Sequence, residues 1–142
     1  MSNLKPANAG AVTRALTAAG MPKASSMASG MVRGWHTHYR GVQSSVLGET
    51  KTRSYQVGPQ GRRHTKHERW IEPNGKVLVE WQFSSDSDRR LSTEERKATT
   101  GQRMHQAREI LEAKGYTVVV NEGQYAFTLT VSRTDADGNV VL

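Results

Sequence analysis

The stretch of the chain that says most about the fold is GRRHTKHERWIEPNGKVLVEWQF, residues 61–83. Its second half alternates apolar and polar residues with a period of two, and this spacing predicts a strand with one buried face. The residues on that face are Val77, Val79, Trp81 and Phe83. The first half carries cations at both odd and even positions, and a buried sheet face does not tolerate unpaired arginines. We therefore expect the first half to protrude from the core as a basic ribbon.

A turn sequence separates the two halves. Residues 72–75 are Glu-Pro-Asn-Gly, in which proline suits the second position of a turn and glycine tolerates a positive φ. The sequence therefore predicts a hairpin that pairs His64–Glu72 with Lys76–Phe83. Residues 58–61, Gly-Pro-Gln-Gly, predict another turn just before it. Two further segments have strand character, Val32–Val42 and Arg53–Val57.

Helices are predicted on both sides of this region. The first covers about Pro6–Ala19 and can open at Pro6 or at Asn8. It has Val12, Leu16 and Ala19 on one face and ends at Gly20. The second opens with a capping box at residues 92–95, Ser-Thr-Glu-Glu, and extends to Lys114 before Gly115. Its apolar face is thin, and its members are Ala98, Met104, Ala107, Leu111 and the neighbouring Ile110.

A second hairpin closes the chain. It pairs Tyr116–Val120 with Gln124–Val131 across a turn at residues 121–123. Alternate positions of its second strand are expected to face the core, namely Tyr125, Phe127, Leu129 and Val131. The polar tail that follows from Thr134 is expected to be loosely held.

These elements predict an α+β fold, in which two helices pack on antiparallel hairpins in a small mixed sheet. We expect one domain over residues 1–142, with a basic helix-plus-hairpin half at 1–83, a second helix-plus-hairpin half at 92–133 and a polar tail at 134–142. Both helices have a leucine in the last turn, then a glycine that ends the helix and an apolar residue directly after it. A duplicated α-β-β unit would explain this similarity, but shared capping chemistry is a simpler explanation, and the sequence leaves both open.

Residues 22–29 leave a second alternative open. The segment fits either a short helix or a loop, and a helix there would give a helix-turn-helix, making the N-terminal half winged-helix-like. Its composition gives that reading little support, because Lys23 is its only cation and the rest is rich in serine and alanine. Two short core helices are the plainer interpretation.

The charge of the chain is uneven. Residues 1–70 hold eleven Lys or Arg against two acids, a net +9, whereas residues 71–142 hold nine against eleven, a net −2. Four of the five histidines and several aromatic residues lie in the basic half. Clustered cations with interleaved aromatic side chains indicate a surface that faces a polyanion.

The sequence therefore predicts a non-catalytic nucleic-acid-binding protein with an accessory or regulatory role, DNA being favoured over RNA. RNA readout would call for aromatic residues in register on an exposed sheet face, and Trp35, Tyr39 and Trp70 are scattered along the chain. The competing hypothesis is an adaptor or inhibitor that docks its basic half on an acidic host protein, since both partners attract the same charge. The candidate binding residues are Arg33, His36, His38, Arg40, Arg53, Arg62, Arg63, Lys66 and Arg69.

A metal site is a further alternative. His36 and His38 would share one face of a strand, whereas His64 and His67 would fall on opposite faces. Because the chain has no cysteine and no acid at a suitable spacing, we expect the histidines to join the basic surface and predict no metal or other cofactor.

No enzyme motif is present in the sequence. It contains no Walker loop, dinucleotide fingerprint, nucleophile elbow or His-Glu-x-x-His, and the basic half offers only Glu49 and Glu68 as carboxylates for a metal-dependent nuclease. Asp86 and Asp88 lie in a polar linker where solvated carboxylates are normal. The lack of cysteine, of a signal-like apolar stretch and of any long apolar run predicts a cytoplasmic protein without a membrane partner.

The order of elements also carries a resemblance. The first helix with its glycine ending, the basic extended middle and the closing helix, Gly115-Tyr116 and hairpin are similar to short basic proteins of unassigned function from actinobacterial phages. The resemblance implies an intracellular, phage-encoded accessory role. It transfers no site residue to this chain.

Overall fold

The computed structural model describes residues 4–28, 35–84 and 88–142, with the backbone alone at 26–28 and 35–39. This part of the chain forms two helices and six strands. In chain order they are α1 (Ala9–Ala18), β1 (Ser25–Ala28), β2 (Trp35–Tyr39), β3 (Gly41–Val57), β4 (His64–Gln82), α2 (Thr93–Ala113), β5 (Thr117–Glu122) and β6 (Phe127–Ser132).

Four of the strands form one antiparallel sheet in the order β3-β4-β6-β5, and β1 pairs with β2 in a separate antiparallel hairpin. The predicted α+β class is confirmed. The expectation of a mixed sheet was wrong, because each hairpin reverses the chain and the second strands of the two hairpins, β4 and β6, also meet antiparallel. Among the described residues, the only parallel pairing is a single bridge between Lys23 and Val42.

One hydrophobic cluster joins the helices to the sheet. It takes Leu16 from α1, Leu111 from α2, Val79 from β4 and Leu129 from β6, all fully buried. The period-two prediction for β4 is confirmed, since its second half alternates buried and partly buried residues. The buried apolar residues are Val12, Leu16, Met21, Val42, Val77, Val79, Trp81, Met104, Ala107, Leu111, Tyr116, Leu129 and Val131.

Both helices begin and end as their capping residues predict. The Asn8 side chain accepts a hydrogen bond from the Ala11 amide at 3.1 Å, and the capping box of Ser92 and Glu95 is formed in both directions. The buried stripe of α2 starts at Thr100, whereas Ala98, predicted on the apolar face, is exposed. The buried stripe includes Thr100 because its hydroxyl accepts a hydrogen bond from the Phe127 amide at 3.0 Å, which connects α2 to the start of β6.

The predicted hairpin of His64–Glu72 with Lys76–Phe83 is wrong. Residues 64–82 form one continuous strand, and its partner is β3 over the whole length of β3. Instead of a turn there is a bulge, in which residues 74–76 lie opposite Leu47 and the pairing changes from Val46 with Val77 to Gly48 with Pro73. The proline and the positive φ of Gly75, 80°, suit a bulge as well as a turn, so local chemistry could not separate the two.

The chain reverses at residues 58–61, where the sequence predicted another turn. Gly58 and Gly61 both have a positive φ, and the Arg62 amide donates to the Pro59 carbonyl at 2.9 Å. This turn is the tip of the β3-β4 hairpin. Gly48 lies beside the bulge in the middle of β3, where a Cβ would overlap the carbonyl oxygen of Glu72.

Residues 22–28 form neither a helix nor a simple loop. The Val42 amide donates to the Pro22 carbonyl at 2.9 Å, and the Ala24 amide donates to the Val42 carbonyl at 3.1 Å, before β1 begins at Ser25. These backbone bonds compete with the helix that the serines and alanines left possible. The helix-turn-helix and winged-helix interpretations are therefore wrong for the described part of this segment. Ser29 lies outside the described residues.

The closing hairpin is confirmed, with two corrections. Its turn covers residues 123–126 and not 121–123, because Asn121 and Glu122 pair with Thr128 and Phe127 in the two strands. The second correction concerns Tyr125. Leu129 and Val131 are buried and Phe127 is partly buried, but Tyr125 is 61% exposed because it belongs to the turn, where the Gly123 amide donates to the Ala126 carbonyl. The tail is also more ordered than expected. Its residues turn back on β6, with the Val141 amide donating to the Arg133 carbonyl at 2.8 Å.

Each half begins with a helix and ends with a hairpin, but the first half also contains the β1-β2 pair, and its β3-β4 hairpin is far longer than β5-β6. A duplicated unit therefore stays a prediction. Neither helix of the described chain combines the length and apolar character needed to cross a bilayer.

Candidate nucleic-acid interface

The outer part of the β3-β4 hairpin projects beyond the core. We call it the ribbon, and it consists of residues 48–57, the tip at 58–63 and residues 64–73. Its strands extend about 30 Å at the usual rise of about 3.3 Å per residue. Within the ribbon no side chain is buried, and only a few positions are partly covered. The prediction that this basic stretch protrudes is confirmed.

The pairing register assigns every ribbon side chain to one of two faces, because directly opposed residues of an antiparallel pair point the same way. The pair Arg53 and Glu68 defines one face, which we call the carboxylate face, and the pair Ser54 and His67 defines the other, the hydroxyl face. The carboxylate face holds Glu49, Lys51, Arg53, Tyr55, Val57, His64, Lys66, Glu68, Trp70 and Glu72. The hydroxyl face holds Thr50, Thr52, Ser54, Gln56, Thr65, His67, Arg69 and Ile71.

A three-residue network occupies the middle of the carboxylate face. The Arg53 guanidinium donates to Glu68 at 2.6 Å, and the Tyr55 hydroxyl donates to the other oxygen of the same carboxylate at 2.9 Å. The hydrogen bonds from Arg53 and Tyr55 hold the pKa of Glu68 below its ordinary value. The same contacts raise the pKa values of Arg53 and Tyr55, since each is hydrogen-bonded to the Glu68 carboxylate.

Nearer the core, a single lysine lies between the two remaining glutamates of the ribbon. Lys51 Nζ lies 3.1 Å from Glu49 and 3.9 Å from Glu72, which oppose each other across the strands. All three carboxylates of the ribbon are thus paired with Lys51 or Arg53.

The hydroxyl face has different chemistry. Gln56 Nε2 donates to the Thr65 hydroxyl at 2.8 Å, and the Ser54 hydroxyl lies 2.7 Å from His67 Nδ1. Thr52 opposes Arg69 one pair further toward the core. This face carries a cation and a row of hydrogen-bonding groups, and it carries no aspartate or glutamate.

The ribbon brings together five of the predicted binding residues. Arg53 is engaged with Glu68, whereas the other four are exposed and form no ion pair among the described residues. Those four are Arg62, Arg63, Lys66 and Arg69.

Arg40 lies apart from this group. It precedes β3, about 50 Å along the strand from the tip at the usual rise per residue. Its guanidinium donates to the Asp88 carboxylate at 3.3 Å. The expectation that Asp88 is solvated was wrong, since its side chain is 5% exposed and also accepts the Ser84 amide at 2.7 Å. Asp86 lies outside the described residues.

The remaining predicted residues are not described by their side chains. Arg33 lies outside the described residues, and His36 and His38 are placed by backbone only, in β2. His64 and His67 point to opposite faces of the ribbon, as the sequence predicted. Among the described side chains, no three His, Asp or Glu residues are placed to hold a metal ion, so the histidine site stays a hypothesis.

A groove at the root of the ribbon adds to the basic surface. It encloses about 900 Å³ between the start of α1, the bulge and the C-terminal tail. Its lining includes Lys5, Arg14 and Arg133 and, among the described residues, no aspartate or glutamate. Arg133 also stacks on the ring of Tyr116 at 4.2 Å.

Sequence reasoning missed Tyr55, Ser54, Gln56 and Thr65, which form the cross-strand contacts of the ribbon. The signal that could have found them is the alternation of residues 49–57, where acidic, basic and aromatic residues take odd positions and hydroxyl or amide residues take even ones. Comparison with known proteins adds no further assignment, because no family model, curated protein or solved structure matches the chain.

The Glu68 network gives a pH prediction. Because folding lowers the pKa of Glu68, its contribution to stability is present above the ordinary glutamate pKa and is lost as the pH falls through the lowered value. We expect a carboxyl NMR titration to show Glu68 ionising below the ordinary glutamate pKa, and an Arg53→Gln variant to move the pKa of Glu68 upward. A Glu68 titration that is the same in both proteins would contradict the network.

Proposed function

We propose that the chain is a non-catalytic nucleic-acid-binding protein that contacts a phosphate backbone through the ribbon, with DNA favoured over RNA, in an accessory or regulatory role. One observation carries the proposal, namely the exposed cations of the outer ribbon that form no ion pair with an acid of the described chain. These residues are Arg62, Arg63, Lys66 and Arg69.

The energetic argument is counterion release. Each phosphate that a cation neutralises displaces condensed counterions from B-form DNA and adds roughly −0.9 to the slope of log affinity against log salt. Up to four contacts from the outer ribbon would therefore give a slope as steep as about −3.6 by the same rule. The basic groove at the root of the ribbon offers further contacts on the same side of the molecule as the bulge.

The exposure of the ribbon also supports a partner. A two-stranded hairpin without a packed face is marginally stable in water, and this one is held by surface ion pairs and side-chain hydrogen bonds. A polyanion that binds the ordered ribbon would stabilise it by mass action. Hydrogen exchange of the ribbon amides should then slow when nucleic acid is added.

The non-catalytic part of the proposal follows from the carboxylates. A magnesium-dependent nuclease needs clustered acids that are free to bind metal, whereas Glu49, Glu68 and Glu72 are each engaged with a cation.

The test is a binding titration of the full chain against a fluorescent DNA duplex at several salt concentrations. We expect clear binding at about 50 mM salt and a loss of affinity of tenfold or more by about 200 mM. Absent binding at low salt, or binding that is indifferent to salt, would overturn the proposal. A pull-down from host lysate with and without nuclease distinguishes this proposal from the competing hypothesis of an acidic protein partner. Such a partner would remain bound after nuclease treatment.

A further inference from the structure

The two faces of the ribbon differ in charge, and the difference selects one of them for a polyanion. The carboxylate face holds three cations, Lys51, Arg53 and Lys66, against three glutamates, so its formal charge is zero. The hydroxyl face holds Arg69 and no acid, so its formal charge is +1 when the histidine of each face is counted as neutral. A phosphate backbone repels the glutamates of the first face and is attracted to the second.

We propose, on the basis of the proposed function, that the ribbon binds B-form DNA in the major groove with its hydroxyl face toward the base edges and the Arg62-Arg63 tip beside the phosphates. The carboxylate face then points away from the DNA, where its glutamates remain in contact with Lys51 and Arg53.

The dimensions of the ribbon fit this groove. Two strands lie about 4.8 Å apart, and the major groove is about 12 Å wide and admits a two-stranded ribbon, whereas the minor groove is only about 6 Å wide. A-form RNA offers a deep and narrow major groove that side chains cannot read. The geometry therefore favours duplex DNA over duplex RNA for a reason independent of charge.

The side chains of the hydroxyl face match the chemistry of base edges. Arg69 can donate twice to guanine O6 and N7, and Gln56 has one amide hydrogen and its carbonyl oxygen available beyond its bond to Thr65. The methyl groups of Thr50, Thr52 and Ile71 suit contact with thymine methyl groups. The hydroxyl face thus has groups for base contacts, whereas the tip has groups for phosphates.

A matched pair of variants tests which face docks. Arg69→Gln and Lys51→Gln each remove one positive charge from the ribbon, and the two residues lie on opposite faces. Lys51 pairs with Glu49 and Glu72 and is not among the cations proposed to contact phosphate. At about 0.15 M salt, where screening limits long-range effects to about 8 Å, Arg69→Gln should weaken duplex binding at least about fivefold and Lys51→Gln less than about twofold. An equal loss in both, or a larger loss in Lys51→Gln, would overturn the proposal.

A chemical footprint tests which groove is occupied. Dimethyl sulfate methylates guanine N7 in the major groove and adenine N3 in the minor groove, so the bound full chain should protect guanine N7 and leave adenine N3 reactive. Protection of adenine N3, or of neither atom, would contradict major-groove binding. If the wild-type chain shows salt-dependent DNA binding while these two tests fail, the proposed function stands and only the docking geometry is wrong.

Discussion

Replacing Trp81 with alanine is expected to lower the free energy of unfolding by about 3–5 kcal/mol. Trp81 is 5% exposed, opposes Val42 across β3 and β4, and belongs to the cluster that joins both helices to the sheet. The Arg103 guanidinium of α2 lies 4.7 Å from the centre of the indole ring, so truncation also removes a contact between helix and sheet. Urea denaturation followed by circular dichroism measures the loss.

Trp70 provides the matched control. It lies on the same strand but is 44% exposed on the ribbon, so Trp70→Ala should cost about 1 kcal/mol or less. Trp81→Phe is the second control. The buried indole N–H of Trp81 has no hydrogen-bond partner among the described residues, so this replacement removes no hydrogen bond to them. A Trp81→Ala variant as stable as the wild type would mean that the buried face of β4 is assigned wrongly.

The second large effect is expected at the tip of the ribbon. Arg62→Ala combined with Arg63→Ala should weaken DNA binding about tenfold or more near physiological salt and make the salt slope shallower by up to about 2. The loss should be similar on unrelated DNA sequences, because contacts to phosphate carry no sequence information. Both residues are exposed, so the stability of the domain should change by less than about 0.5 kcal/mol.

Arg89 and Arg90 supply a control with the same charge loss. They are a second exposed arginine pair, next to the Asp88 that binds Arg40 at the opposite end of β3 from the tip. Replacing both with alanine should leave the affinity and the salt slope close to those of the wild type. Equal losses in the two double variants would show that net charge, and not the tip of the ribbon, governs binding. Unfolding of the tip variant would show that these arginines support the fold.

The elements that depend on neighbouring residues could be predicted from the sequence. The caps at Asn8 and Ser92, the turn at residues 58–61 and the closing hairpin follow from short-range chemistry. Burial of Val77 and Val79 follows from a period of two, and protrusion of the ribbon follows from the cost of burying unpaired arginines. All of these depend on residues within a few positions of one another.

Contacts between residues far apart in the chain were decided by the tertiary structure alone. Residues 72–75 suit a turn or a bulge equally well, and only the pairing of β4 with the whole of β3 selects the bulge. The same register determines that Glu68 of β4 shares a face with Arg53 of β3, which a strand of unknown partner cannot show. Asp88 is buried because Arg40, far away in the chain, comes to lie beside it. The sequence thus determined that a basic ribbon exists, and tertiary pairing decided which of its faces is free of carboxylates.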